Sequence, residues 1–353
     1  MKWSCKIFAL LCMAAMCAKA EETRTTRVGQ HTYTYRVVYR VMNGSAVIGS
    51  TRKASVVPPP RGEYAIPSRL GGFPVVIGDS AFMDCPDLTS VFIPRDVTID
   101  EGFAQQGVRM FASSEKLTRF VVAEDHPNYV SLDGVLFDKD MTTLIRFPPG
   151  KDGKDGKYAI PEGIVTIGGY AFEGCKELTS LTLPSSLTEI RGGARTLRYA
   201  RNLSSVFVVS GNTAYTSVDG VLFDKEKTTL VMFPDRKIEH YVIPDGIQVI
   251  GSRAFVSSGL HSVVIPESVT TIEDVAFGGS YLTSITIPKN VTSIGALAFG
   301  ECMNLATVNL KCAKPQKEAE RVFDGTSVTR LIVPRDMGWK SGERYWGKFV
   351  VVR

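Results

Sequence analysis

The chain has 353 residues and carries 41 Lys and Arg against 36 Asp and Glu, which gives a formal net charge of +5. A surplus this small is not the signature of a nucleic acid binding protein. Its seven cysteines are too few for a disulfide scaffold. No segment after the N-terminus has the roughly 18 uncharged apolar residues of a membrane helix, so we expect no transmembrane segment.

The first 20 residues have the layout of a secretory signal peptide. Lys2 and Lys6 precede the apolar run Ile7 to Ala18, and Ala18-Lys19-Ala20 forms an A-x-A cleavage signal. We therefore predict that residues 1–20 are removed and that the protein is secreted or held at the cell surface. Removal of this leader lowers the charge to +2 and leaves four cysteines: Cys85, Cys175, Cys302 and Cys312.

Residues 21–65 are predicted to form an N-terminal cap. Tyr33 to Val41 and Ala46 to Ile48 favour a β-hairpin, and the Pro-rich linker around Pro58-Pro59-Pro60 follows it. A stack of repeats needs such a cover because its end coil otherwise exposes open sheet and core.

One sequence motif recurs through residues 66–310. It starts at Ile77, Ile167, Ile250, Ile272 and Ile294, and it combines an Ala-Phe pair with a Leu-Thr-Ser segment that ends in Ile-Pro or Leu-Pro. Its spacing of 22 to 23 residues lies in the range of leucine-rich repeats. A unit this short cannot close its own core, so each coil must stack on the next. The sequence predicts a right-handed leucine-rich-repeat solenoid that is mostly β, with one short strand per coil.

Within a coil, the segment LTSVFIP alternates apolar and polar side chains. Val91 and Ile93 are predicted to point inward while Phe92 points outward, and Pro94 ends the strand because it has no N–H to donate. The Ala-Phe pair is expected on the opposite side of the coil, in a short helical turn whose Phe fills the interior. This pair occurs at Ala81-Phe82, Ala171-Phe172, Ala254-Phe255, Ala276-Phe277 and Ala298-Phe299.

Two longer units share the motif DGVLFDK, starting 86 residues apart at Asp133 and Asp219. Together with the irregular coils that precede them, Ile99 to Lys116 and Ile190 to Asn202, they imply an ancestral duplication, whose two halves we call the first and the second copy. In the first copy, Val135–Phe137 and Leu144–Phe147 are predicted to be two strands joined by a polar turn, so each unit is a β-hairpin inserted in the solenoid. Residues 311–353 are predicted to form the terminal repeat and a C-terminal cap. The cap would contain a closing strand and an aromatic plug: Arg330–Val333, Trp339, Tyr345 and Trp346.

These motifs resemble the BspA-like class of leucine-rich repeats, which occurs in surface and secreted proteins of bacteria and some protozoa. The resemblance covers roughly Ile66 to Val333. It implies a solenoid without catalytic activity, associated with adhesion to host proteins, to other cells or to surface matrices.

No set of residues in the sequence predicts catalysis or metal binding. His31, His126, His240 and His261 lie in unrelated contexts, and the cysteines occur one per coil without a CxxC pair. We therefore predict no enzymatic activity, no cofactor and no metal. Only Cys302 and Cys312 are near enough in sequence to form a disulfide, and free buried thiols are the favoured alternative.

Two surfaces are candidates for binding. The first is the column of outward strand positions, which β-propensity alone could also explain; it comprises Phe92, Val121, Thr182, Phe207, Val264, Thr286, Asn309 and Ile332. The second is a run of arginines that, in a helix, would share one face and could bind an anion. The alternative is that these arginines are only solvated surface charges. The run comprises Arg191, Arg195, Arg198 and Arg201.

We accordingly expect a monomer whose partner is a protein or glycan ligand on another cell or a host surface. The alternative is a structural component of a surface layer or matrix that associates with copies of itself.

Overall fold

Each regular coil of the chain contributes a longer strand, a two-residue strand and a tight turn that carries the buried Phe. About twelve such coils stack into a β-solenoid, as the sequence predicts. The computed structural model describes residues 19–28, 31–49, 55–100, 109–197, 199–235, 238–314, 319–335 and 338–352.

The N-terminal strands are β1 (Lys19–Val28), β2 (His31–Met42), β3 (Ser45–Ile48), β4 (Val56–Val57), β5 (Gly62–Ala65), β6 (Arg69–Leu70), β7 (Phe73–Ile77), β8 (Leu88–Ile93), β9 (Thr98–Ile99) and β10 (Arg119–Val122). The middle strands are β11 (Tyr129–Leu132), β12 (Val135–Asp138), β13 (Thr143–Arg146), β14 (Lys157–Ala159), β15 (Thr166–Ile167), β16 (Ser180–Leu183), β17 (Glu189–Ile190), β18 (Ser205–Val208), β19 (Tyr215–Val218), β20 (Val221–Asp224) and β21 (Thr229–Met232). The C-terminal strands are β22 (His240–Val242), β23 (Val249–Ile250), β24 (Ser262–Val264), β25 (Thr271–Ile272), β26 (Ser284–Ile287), β27 (Ser293–Ile294), β28 (Thr307–Leu310), β29 (Arg330–Val333), β30 (Arg344–Tyr345) and β31 (Lys348–Val352).

The strands form two sets of parallel ladders along the stack. The longer strands pair as β5-β8-β10, β14-β16-β18, β22-β24 and β26-β28-β29-β31. The two-residue strands extend β3-β7, β13 and β21 into a second set, β3-β7-β9, β13-β15-β17 and β21-β23-β25-β27. The sequence predicts one strand per coil, whereas the structure has a second strand in each regular coil. A two-residue strand such as Thr271–Ile272 is too short to show a period of two in the sequence.

The Ala-Phe segments are successive tight turns and not the short helical turns that we predicted. In one of them, Tyr170 has a φ of 58°, and the N–H of Cys175 donates to the carbonyl of Phe172 at 3.2 Å. A left-handed residue at this place stops a helix from continuing. Among the described residues, the only helix is a 3₁₀ helix at Gly193–Leu197.

Stacked phenylalanines form the centre of the solenoid. The longest run follows the C-terminal coils, where neighbouring ring centroids lie 4.8 to 5.4 Å apart. These distances match the favourable range for aromatic pairs. This run comprises Phe233, Phe255, Phe277, Phe299 and Phe323, and shorter stacks join Phe82 to Phe111 and Phe147 to Phe172.

Each DGVLF insertion is a three-stranded antiparallel unit, β11-β12-β13 or β19-β20-β21, so it has one strand more than the predicted hairpin. Its Asp-Gly turn has positive φ at both residues, 49° and 76° at Asp133 and Gly134. This is the type I′ geometry that fits the twist of a hairpin. The turn packs on the preceding longer strand, where Phe120 N–H donates to Gly134 C=O at 2.8 Å. The insertions therefore interrupt the ladder of longer strands after β10 and after β18.

Both ends of the stack are capped. At the N-terminus the predicted hairpin is present as β2 and β3, and the unpredicted strand β1 pairs with β2 along its whole length. The predicted leader lies outside the described residues up to position 18, and Lys19 and Ala20 belong to β1. At the C-terminus Trp346 packs edge-on against Phe323, with ring centroids 5.6 Å apart. The predicted aromatic plug therefore closes the phenylalanine stack.

Within the part of the chain that the structure describes, no helix is both long and apolar enough to span a membrane.

Candidate binding surfaces

The outward positions of the longer strands lie side by side. Val121 is in register with Phe92, Phe207 with Thr182, and Asn309 with both Thr286 and Ile332. The stacking of equal coils brings these residues together, because each coil repeats the alternation of the previous one. We call this row the strand-face column, and it consists of the eight predicted residues together with Val242.

The strand-face column exposes large apolar side chains to solvent. Phe207 is 48% exposed, Val264 is 58% exposed, and Phe92 and Val121 are each 39% exposed. Val242, which we did not predict, is in register with Val264 and is 66% exposed. The signal that could have found it is the segment His-Tyr-Val-Ile-Pro, which ends in the same Ile-Pro as the other longer strands.

The column is divided into blocks by the two insertions. The Asp-Gly turn of the first insertion lies against Arg119 of β10, and that of the second lies against Ser205 of β18. The first block carries Phe92 and Val121, the second carries Thr182 and Phe207, and the rest lie in the C-terminal coils. A partner that covers the whole face must therefore pass over two protruding turns.

The predicted arginine run does not form one helical face. The 3₁₀ helix includes only Arg195, while Arg191 forms an ion pair with Glu189 at 3.2 Å and Arg201 lies 5.7 Å from the ring centroid of Tyr199. These three arginines line three different depressions of the surface, and Arg198 lies outside the described residues. Binding of an anion by this run stays a prediction.

The described histidine side chains have structural contacts. His126 is fully buried, its Nε2 lies 2.9 Å from Val97 C=O, and its Nδ1 accepts from two backbone N–H groups. His240 Nδ1 lies 2.7 Å from Ser262 Oγ, and the ring of His261 stacks on Tyr281. The contacts within the described region therefore bring no two of these histidines into one site. The side chain of His31 lies outside the described residues.

The four cysteines at positions 85, 175, 302 and 312 are free and buried. Burial raises the pKa of the Cys85 and Cys175 thiols to about 12 and that of Cys312 to about 11. A thiol with such a pKa is protonated at neutral pH and is a poor nucleophile and metal ligand. No three His, Cys, Asp or Glu residues of the described segments are grouped to hold a metal ion.

Comparison with solved structures shows a shared fold for the first of three similar chains. A leucine-rich repeat protein from Eubacterium ventriosum is 21% identical, with a TM-score of 0.51, over 90% of this chain and 80% of that one. The pneumococcal vaccine antigen PcpA is 18% identical over 88% of this chain and 87% of that one, with a TM-score of 0.43. A leucine-rich cell surface protein from Faecalibacterium prausnitzii is 18% identical over 88% and 95%, with a TM-score of 0.40.

The comparison with curated proteins found no significant match. The family model of the BspA-type leucine-rich repeat region matches six copies in this chain, at residues 156–218 and 229–338. The stacked coils, the ladders of longer strands and the buried phenylalanines agree with these matches. The chain therefore belongs to the BspA-type leucine-rich repeat family.

Proposed function

We propose that this chain is a secreted or cell-surface protein that binds a partner protein through the strand-face column, without catalysing a reaction. The observation that carries the proposal is the row of exposed Phe and Val side chains on the parallel ladders of the longer strands. Exposed apolar side chains that form a row on a regular scaffold are typical of protein interfaces. The predicted signal peptide and the family support an extracellular location.

The chemistry of the column favours a protein ligand over a purely polar one. Phe92 and Phe207 supply rings that can be buried at an interface, and aromatic side chains are enriched at interface centres. The flanking position beside Phe92 is polar, since Arg119 contacts Ser90 and forms an ion pair with Glu63. An apolar centre with a polar rim matches the anatomy of such interfaces.

The double variant Phe92→Ser and Phe207→Ser tests the proposal. The purified protein is used as bait for surface proteins of host and bacterial cells, and the variant should lose most of the captured partner while it keeps its thermal unfolding midpoint. Phe73→Ser is the matched control, because Phe73 is 38% exposed but lies on β7, outside the column. Unchanged capture by the double variant would contradict the proposal.

The alternative of a self-associating structural component has its own measurement. Light scattering at increasing protein concentration should show a monomer if the partner is a different protein. Growth of the particle mass, abolished by Phe92→Ser and Phe207→Ser, would instead assign the column to contacts between copies of this chain.

A further inference from the structure

The ladder of longer strands has a third interruption, between β24 and β26, where the chain has no insertion. β22 pairs with β24 and β26 pairs with β28, whereas β24 and β26 form no pair among the described strands. The same two coils stay in contact elsewhere, because β23 pairs with β25 and the rings of Phe255 and Phe277 stack with 4.8 Å between their centroids. The two coils therefore separate only on the side of the strand-face column.

A backbone hydrogen bond that recurs at the C-terminal end of the longer strands is absent at this interruption. In three other coils this bond measures 3.0 Å, and it joins Ile66 N–H to Phe92 C=O, Ile160 N–H to Thr182 C=O and Ile243 N–H to Val264 C=O. The equivalent groups are Ile265 N–H and Thr286 C=O, and within the described residues they do not bond to each other. At the other end of the two strands, Thr283 N–H still donates to His261 C=O at 3.3 Å. The strands therefore diverge toward their C-terminal ends.

The divergence leaves a cavity of about 330 Å³ between β24 and β26, which we call the strand opening. Ile265 and Thr286, which carry the separated backbone groups, both line it. The inward side chains of Val263 and Ile265 are 9% and 7% exposed, whereas the equivalent Leu181 and Leu183 of the paired strand β16 are 2% and 1% exposed. The strand opening therefore reaches down to the edge of the core.

The lining of the strand opening is electrically balanced. Among the described residues its charged side chains are the carboxylate of Glu267 and the ammonium of Lys311. The Glu267 carboxylate already accepts a hydrogen bond from the backbone N–H of Lys289 at 3.2 Å. The remaining side chains of the lining are apolar or carry a hydroxyl group, as Ser262 and Ser284 do. This lining favours a neutral polar group over a charged one.

We propose that the strand opening binds the side-chain carboxamide of a Gln or Asn residue in an extended segment of the partner protein. A carboxamide combines an acceptor and donors in one planar group, so it can accept from Ile265 N–H and donate to Thr286 C=O. A carboxylate cannot donate and an ammonium cannot accept, so each would leave one of these backbone groups unsatisfied. This binding mode rests on the proposed function, since it assigns one residue type of the partner to one place in the strand-face column.

A nuclear magnetic resonance titration with acetyl-Thr-Gln-Thr-amide tests the proposal without the natural partner. The amide resonance of Ile265 should shift in a saturable way, whereas that of Ile243, whose N–H is already bonded, should stay in place. The peptide with Met in place of Gln should bind at least about tenfold more weakly, because its side chain replaces neither hydrogen bond. The peptide with Glu should also bind more weakly, since its carboxylate has no proton to donate.

A pair of Trp variants tests the location. Thr286→Trp should block the strand opening and weaken binding of the Gln peptide at least about tenfold, which corresponds to loss of both hydrogen bonds. Thr182→Trp is the matched control, because Thr182 holds the equivalent outward position on β16, which pairs with a strand on each side. It should bind the Gln peptide like the parent. Both variants should keep the thermal unfolding midpoint of the parent.

The outcomes separate this site from the proposed function. Absence of a saturable shift of Ile265, equal affinity of the Gln and Met peptides, tighter binding of the Glu peptide, or unchanged binding to Thr286→Trp would each overturn the proposal. The double variant Phe92→Ser and Phe207→Ser leaves the strand opening intact and should bind the Gln peptide like the parent. If that variant loses the captured partner while the parent does not bind the Gln peptide, the carboxamide site is wrong and the proposed function stands.

Discussion

The ring of Phe172 stacks on that of Phe147, with centroids 5.3 Å apart and an interplanar angle of 28°. Both side chains are fully buried. Phe172→Ala should lower the free energy of unfolding by about 3 to 5 kcal/mol, because it removes a buried ring and leaves a cavity. Urea unfolding followed by circular dichroism measures the loss, with the exposed Phe92→Ala as control. A loss below about 1 kcal/mol would show that neighbouring coils fill the space.

Only one member of this stacked pair was identifiable from the sequence. Phe172 stands in the repeated Ala-Phe phrase, whereas Phe147 follows Arg146 at the end of an insertion. The sequence did not identify Phe233 and Phe323 either, because they follow Met and Val and not the Ala of the repeated motif. Repetition therefore predicts the regular coils, but it does not identify residues that reach the same place in space from a different local sequence.

The Asp-Gly turns of the insertions give a second prediction. Gly134 has a φ of 76°, and a Cβ there would lie 2.8 Å from Arg119 Cβ. Gly134→Ala should therefore cost more than the roughly 1 to 2 kcal/mol of left-handed backbone strain. Gly44→Ala is the matched control, because Gly44 has a φ of 75° with nothing within 4 Å of the added Cβ. Thermal unfolding of the two variants compares them, and equal losses would contradict the tight packing of the insertion on β10.

The sequence predicts the register of the strand-face column, but it does not predict the interruption of the column by the insertions. The register follows from coils of similar length, so the sequence alone predicts that Phe92 and Val121 lie in one row. The interruption depends on the contact between Gly134 and Arg119, which lie in unlike segments. The local sequence around either residue does not predict that contact. The same limit applies to β1, whose polar residues lack the apolar alternation of a half-buried strand.

The side chains of His126 and Asn212 form equivalent hydrogen bonds with the backbone in the two copies. His126 holds Val97 C=O and the N–H groups of two following residues, while Asn212 donates to two carbonyls and accepts from two N–H groups. His126→Ala should cost about 2 to 5 kcal/mol, because it leaves several buried backbone groups unsatisfied. His126→Asn should recover more than half of that loss. Urea titrations of both variants test this, and an Asn variant as unstable as the Ala variant would show that the ring packing matters more than its hydrogen bonds.

The buried thiols predict a specific labelling pattern and pH dependence. A chain starting at residue 21 should show almost no reaction with a thiol reagent when native, and four reactive thiols when unfolded without reductant. Only two thiols would react if Cys302 and Cys312 formed a disulfide.

The raised pKa values of the thiols also favour the unfolded state at high pH, because the unfolded thiols ionise first. Stability should fall as the pH rises above about 9 and toward the native value of about 12 for Cys175.

Arg146 is buried beneath the turn that carries Glu173, and it donates to the backbone carbonyls of Tyr170 and Glu173. Burial lowers the pKa of this guanidinium, and the nearby Glu173 opposes that effect. Within the described residues, Arg146 Nε and Glu173 Oε2 have no hydrogen-bond partner. This arrangement is costly, and the second copy avoids it with Met232 and Val256.

The double variant Arg146→Met and Glu173→Val copies the second arrangement into the first. It should be as stable as the parent or more stable, because apolar residues that fill the same space can replace a buried charged group at no cost. Glu173→Val alone should lose about 3 to 5 kcal/mol, since it removes the ion-pair partner of Arg109 and leaves the buried Arg146 charge without a nearby carboxylate. Urea unfolding of the three proteins measures both effects. If the single and double variants lost the same free energy, the effect would lie in the packing of Glu173 and not in its charge, because removing Arg146 would then bring no relief.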